Sequence, residues 1–223
     1  MGEMITLTAA DGFVFDAYEA KPAGLPKGYV VVIQEIFGVN SHIREVCDGY
    51  AAAGYDAVAP AIFDRVEKGI ELGYEEADMG RGIEIARGKL NPADALADIQ
   101  AAINYQAGKG KVGVVGYCFG GLMTWLAACQ LDNVSCASSY YGGGLVQQKD
   151  LQPKVPTILH FGKLDAHIPM SDVEQIQQAH PDLPVHVYDA DHGFNCDHRA
   201  SYDKAAAEIA LKRTLELFET HLN

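Results

Sequence analysis

The run Lys111-Val-Gly-Val-Val-Gly-Tyr-Cys118-Phe-Gly-Gly121 constrains the fold more than any other stretch of the chain. The apolar residues up to Val115 read as a strand that ends at Gly116, and Leu122-Met-Thr-Trp-Leu-Ala-Ala128 reads as a helix. Between them, glycines flank a single nucleophile in the pattern Gly-x-Cys-x-Gly. A strand that turns this sharply into a helix brings its flanking residues against neighbouring backbone, where a Cβ would collide and glycine fits. Such a turn lifts the Cys118 sulfur above the sheet edge. It also sets the Phe119 backbone N–H at a helix N-terminus, where the helix dipole favours negative charge.

The rest of the chain supplies a matching frame. Ile5–Thr8 and Phe13–Glu19 read as a hairpin around Asp11-Gly12. Tyr29–Gln34 is a continuous β-branched run of the kind found in buried parallel strands. Ser41 is placed to cap a helix that reaches Ala53 and stops at Gly54. Further strands are expected at Tyr55–Ala59, Cys136–Tyr141, Val155–Phe161 and Val185–Tyr188. Helices are expected within Glu75–Lys89, from Asn91-Pro92 to Ala107, at Ser171–Ala179 and at Tyr202–His221. Alternating strands and helices predict a mainly parallel sheet with helices on both faces. With Cys118 in an elbow, that is the α/β-hydrolase fold, as one domain over residues 1–223.

A formal charge of −13 with no basic run argues against nucleic acid as a partner. The five cysteines, Cys47, Cys118, Cys129, Cys136 and Cys196, are odd in number and contain no CxxC pair, so neither a disulfide framework nor a zinc ribbon is expected. Met1-Gly-Glu-Met-Ile lacks the pattern of a signal peptide, and no apolar stretch reaches membrane-spanning length. A cytoplasmic protein without membrane contact is the expectation, in a compartment where a free thiol persists.

Each chemistry-bearing candidate follows a strand, where open α/β sheets bind their ligands. Cys118 is the candidate nucleophile; the alternative for any free cysteine is burial as a small apolar residue, expected here for Cys129 and Cys136. Asp165, in Gly162-Lys-Leu-Asp-Ala-His-Ile-Pro169, is the candidate orienting acid, or else a turn aspartate capping its own backbone. His192, in Asp189-Ala-Asp-His-Gly-Phe194, is the candidate base, with His167 as second choice. The order nucleophile, acid, histidine is the one this fold uses. His192, Cys196 and His198 also lie close enough in sequence to be read as a zinc set, though without a fourth ligand. Glu35 follows a buried strand, where a carboxylate is costly unless it has partners or a task. The next residue, Ile36, stands where this fold provides a second oxyanion N–H.

Gln34-Glu-Ile-Phe-Gly-Val-Asn40, Gly116-Tyr-Cys-Phe-Gly-Gly121, the Gly162–Pro169 loop, Asp191-His-Gly-Phe194, Tyr140-Tyr-Gly142 and Arg213-Thr-Leu together resemble the dienelactone hydrolase (carboxymethylenebutenolidase) family. The resemblance implies a Cys118/His192/Asp165 triad and an oxyanion hole from the Ile36 and Phe119 N–H groups. It implies too that Glu35 contacts the resting thiol, where a carboxylate disfavours thiolate and so guards it from oxidation. The family's lactone-cleaving members carry an arginine shortly after the histidine motif, and here Cys196 takes that place, with Arg199 offset. Arg81 is the nearest match to a second family arginine. For both arginines, a pocket role and a solvent-facing role stand open.

The expectation is a monomeric, cofactor-free and metal-free hydrolase of a small-molecule lactone or activated ester, acting through a thioester. The rivals are a thiol-based sensor or ligand-binding protein on the same scaffold, and a metal-dependent hydrolase.

Overall fold

The computed structural model describes residues 2–223. Its eight strands are β1 (Glu3–Thr8), β2 (Val14–Ala20), β3 (Tyr29–Ile33), β4 (Asp56–Pro60), β5 (Val112–Tyr117), β6 (Val134–Tyr140), β7 (Thr157–Gly162) and β8 (Val185–Tyr188). They form one sheet in the order β1-β2-β4-β3-β5-β6-β7-β8. The β1–β2 hairpin and the β2–β4 pair are antiparallel, and every later pair is parallel. The six α-helices are α1 (Ser41–Ala52), α2 (Glu76–Ile83), α3 (Pro92–Ala107), α4 (Phe119–Gln130), α5 (Met170–Ala179) and α6 (Lys204–Leu222).

Both faces of the sheet are covered. On central β5, a Cβ at Gly113 would press on Phe218 and Leu222 of α6, whereas one at Gly116 would meet Gly120 and Thr124 of α4. The two positions are three apart, so they point to opposite faces. Tyr50 of α1 packs with Phe218, ring centroids 5.8 Å apart, which puts α1 beside α6. This is the α/β-hydrolase architecture expected from the alternation of elements. Among the described residues, no helix is long and apolar enough to cross a membrane.

Two local readings differ. Asn40, not Ser41, caps α1: its side chain accepts from the Ile43 N–H at 3.2 Å and its amide donates to the Leu72 carbonyl at 3.0 Å. A cap with a second tie to the next loop outcompetes the hydroxyl one residue on. The Glu75–Lys89 region is α2 followed by a π-helical stretch, Glu84–Lys89, closed by the Leu90 N–H donating to the Ile85 carbonyl. Each π turn takes an extra residue, so faces read at a regular helical spacing are displaced beyond Ile83.

Candidate active site

The carboxyl ends of β3, β5, β6, β7 and β8 lie side by side, and each delivers one element of the site. β5 ends in the elbow. Cys118 has φ 55° and ψ −114°, a strained conformation for a residue with a side chain and one that recurs at functional sites. The strand before it and the helix after it hold that strain. A Cβ on Gly120 would run into the Ile33 and Gln34 carbonyls, so only glycine allows α4 to start so close to β3. The Cys118 N–H donates to the Tyr140 carbonyl of β6 at 3.0 Å. Phe119 is the first residue of α4, so its N–H has no carbonyl four residues back to bond.

After β7, Asp165 folds back so that Oδ1 accepts from the backbone N–H of His167 at 2.7 Å and of Ile168 at 3.1 Å. Its Oδ2 lies 2.6 Å from His192 Nδ1, and His192 Nε2 lies 3.1 Å from Cys118 Sγ. Asp165 and His192 are buried, and Cys118 is half-buried. Burial alone would lower the imidazole's proton affinity, but the bonds to Asp165 and Cys118 prevail and raise the His192 pKa to about 10. The row thiol–imidazole–carboxylate therefore lets His192 take up and hold a proton beside the sulfur. His167 lines the same cavity, its ring 5.3 Å from that of His192, but it engages Asp165 only through its backbone.

After β3 the chain turns through Ile36. Gly38, at φ 79°, packs on the Ile70 carbonyl, and Gly82 of α2 packs on that of Ile36. The Leu72 N–H donates to the Phe37 carbonyl at 2.9 Å. Ile36 is thus clamped beside Cys118, Phe119 and His192 on the wall of a cavity of about 470 Å³. Its other walls are mostly apolar, with Met79, Ile83, Leu90, Leu122, Met123 and Leu126.

Glu35 is buried, and neither carboxylate oxygen has a hydrogen-bond partner. The contact expected with the resting thiol is not made, because the sulfur turns to His192. Glu35 instead faces Arg199, with Nη1 3.8 Å from Oε1. Arg199 lines the cavity, so it reaches the site from its offset position. Cys196 does not: it is fully buried behind the cavity wall, where burial pushes its thiol up to about 12. Arg81 is also outside, exposed and bonded to Glu67 at 2.7 Å. The arginine that α2 and its π-helical extension present to the cavity mouth is Arg87, six residues on. The set His192, Cys196 and His198 does not assemble. His192 belongs to the row above, Cys196 lies with Glu35 and His42, and His198 bonds Glu45 at 2.7 Å.

Besides Arg87, the sequence reading missed two residues. Tyr141, after β6 at φ 37°, is fully buried with its ring 5.1 Å from that of His192. Burial, then the nearby Glu35, Cys196 and Cys118, drive its phenol pKa well above the usual value, so it stays protonated. The unusual backbone of Tyr141 left no mark in the residue type, and the Tyr140-Tyr-Gly142 run was its only signal. His42, which no motif in the sequence singles out, is buried, with Nδ1 3.3 Å from Asp197 Oδ1 and neither ring nitrogen in hydrogen-bond geometry.

The chain is similar to known proteins over nearly its whole length. The model of the dienelactone hydrolase family matches residues 15–222. A Synechocystis protein named "Putative carboxymethylenebutenolidase" is 38% identical, over 92% of this chain and 91% of its own length. The carboxymethylenebutenolidase of Pseudomonas putida is 34% identical, over 96% of this chain and 94% of its own. A Klebsiella pneumoniae crystal structure, named "Putative Dienelactone Hydrolase", superposes with a TM-score of 0.82 at 29% identity, covering 98% of this chain and 100% of that one. With the match spanning nearly the whole chain, elbow and cavity included, the protein belongs to the dienelactone hydrolase family and is a hydrolase acting on lactone or ester bonds.

Proposed function

We propose that this hydrolase opens a small lactone or cleaves an activated ester through a thioester on Cys118. The observation that carries the reading is the Cys118–His192–Asp165 row, with contacts of 3.1 and 2.6 Å, at one end of the apolar cavity. Cys118 Sγ attacks the carbonyl carbon as its proton passes to His192 Nε2. The tetrahedral oxyanion sits between the Ile36 and Phe119 N–H groups, the second reinforced by the start of α4. Collapse breaks the C–O bond, and His192 protonates the departing alkoxide, which in a lactone remains tethered to the acyl group. Water then attacks the thioester with His192 as base, collapse of this second adduct breaks the C–S bond, and His192 returns its proton to Cys118 Sγ; Asp165 keeps the imidazole in one tautomer throughout.

Arg199 supports a substrate that carries an anionic group beside the scissile bond. It is the charged donor nearest the Glu35 end of the cavity, and its contact with Glu35, at 3.8 Å, is looser than a hydrogen bond. Glu35 acts on the thiol through its field: removal of its negative charge should favour thiolate. The test is a hydrolysis screen of matched neutral and carboxylated lactones and aryl esters with wild type and Cys118→Ala. Turnover lost in the variant supports the reading. Absence of turnover by a wild type whose Cys118 still alkylates would favour a thiol sensor instead.

A further inference from the structure

Next to the catalytic cavity, but outside it, four potential metal ligands converge from two elements. His42 and Glu45 lie in the first turns of α1, and Asp197 and His198 lie in the loop before α6. One ligand atom from each falls within 4.8 Å of all the others. His198 Nε2 is 2.7 Å from Glu45 Oε2 and 3.9 Å from Asp197 Oδ1, and His42 Nδ1 is 3.3 Å from that same Asp197 oxygen.

His42 points to a ligand independently of its neighbours. It is only 2% exposed, its Nε2 has no hydrogen-bond partner, and its Nδ1 meets Asp197 Oδ1 at 3.3 Å outside hydrogen-bond geometry. A buried imidazole left this way forfeits hydrogen bonds it had in water, and a bound partner would recover them.

We infer that His42, Glu45, Asp197 and His198 form a site for a zinc-class divalent cation. Two imidazoles and two carboxylates give a neutral complex with a divalent ion, in a donor set that suits zinc. Tetrahedral ligands at about 2.1 Å from a metal stand roughly 3.4 Å apart, so a modest contraction of the present cluster closes the site. Glu45, Asp197 and His198 are exposed and provide the entry path. A second grouping, Glu35, His42 and Cys196, shares His42 on its inner side, but it has three members and all are buried. The outer set is complete and reachable, and the inner one is neither. An ion in the outer set would tie α1, which follows the Ile36–Asn40 turn, to the loop that runs from His192 to Arg199. This role is structural and independent of the thioester chemistry.

The test uses the full chain carrying Cys118→Ala, which dismantles the Cys118–His192 pair as a competing zinc site. Zinc titrated by calorimetry should bind saturably at one equivalent. His198→Ala and Glu45→Gln, both at exposed positions, should each weaken binding at least tenfold while circular dichroism stays unchanged. Cobalt in place of zinc should show no thiolate charge-transfer band. Absence of saturable binding in the Cys118→Ala chain, or binding that survives His198→Ala, would overturn the assignment. A thiolate band together with loss of binding in Cys196→Ser would place the ion in the inner set and equally refute it.

Discussion

Arg199 Nη1 stands 3.8 Å from Glu35 Oε1, and the same guanidinium lies against Gly193, where an added Cβ would come within 2.5 Å of it. The residue after His192 is therefore a glycine, at φ 79°, partly to make room for the arginine. The loop from His192 to Arg199 thus sets both the imidazole and the charged group of the cavity.

Recognition of an anionic substrate should depend on Arg199 and not on Arg81. Charge-assisted hydrogen bonds contribute about 1.5–3 kcal/mol, so Arg199→Ala should lower kcat/KM for a carboxylated ester roughly 10- to 100-fold relative to its neutral analogue. Arg81→Ala, which removes only an exposed pair with Glu67, should leave that ratio unchanged. Equal losses on both substrates in Arg199→Ala would mean that the arginine serves Glu35 alone.

Alkylation should inactivate through Cys118 only. Burial pushes the Cys129 thiol up to about 11, those of Cys136 and Cys196 to about 12, and that of Cys47 higher still, whereas Cys118 alone is half-buried and faces a base. Glu35→Gln should speed the reaction by removing a like charge near the sulfur. Iodoacetamide kinetics with peptide mapping decide both points; inactivation that tracks Cys196, or a slower Glu35→Gln, would contradict them.

Loss of the base should be severe and of the acid nearly so. His192→Ala should reduce kcat by at least about 10³-fold, and Asp165→Asn by a comparable or smaller factor. The asparagine can keep accepting from His167 and Ile168 through its oxygen, so the fold should persist. An active His192→Ala beside an inert His167→Ala would show that the wrong imidazole has been chosen.

Acid should destabilise the fold beginning near pH 6.5, through His160. Tyr188 accepts from Arg213 at 3.0 Å, so its hydroxyl proton goes to His160 Nδ1 at 2.8 Å, and Nε2–H donates to Ser138 at 3.2 Å. That tautomer is neutral, and burial, then His186 and Arg213, hold its pKa well below the usual value. A depressed native pKa means the unfolded chain binds the extra proton, so stability is intact above the unfolded value and falls below it. The slope is about 1.4 kcal/mol per pH unit for one group. His192, whose pKa is raised, acts oppositely: its contribution is complete below the unfolded value and fades as pH rises toward its folded one. Urea unfolding of wild type and His160→Asn from pH 6.5 to 5.5 should show the shallower slope in the variant; parallel slopes would place the proton elsewhere.

Much of this site was legible in the sequence because glycines and strand ends carry geometric information. Gly116 and Gly120 announce the elbow, and Asp165 and His192 stand just past their strands in the order this fold requires. What escaped depends on side-chain direction. The π-helical stretch after Ile83 carries Arg87, not Arg81, to the cavity. The loop after His192 turns Cys196 inward and Arg199 toward the substrate space, which a count of residues from the histidine cannot reveal. Tyr141 and His42 became visible only when β6 and α1 were packed behind Glu35.

The central claim is covalent catalysis by Cys118, and intact-protein mass spectrometry of acid-quenched turnover tests it most directly. With an aryl ester in excess, the account predicts a transient mass increase equal to the acyl group, mapped to Cys118, and kinetically competent with product formation. The adduct and turnover should both be absent in Cys118→Ala. Undiminished hydrolysis by Cys118→Ala, or an acyl group found on another residue, would contradict it.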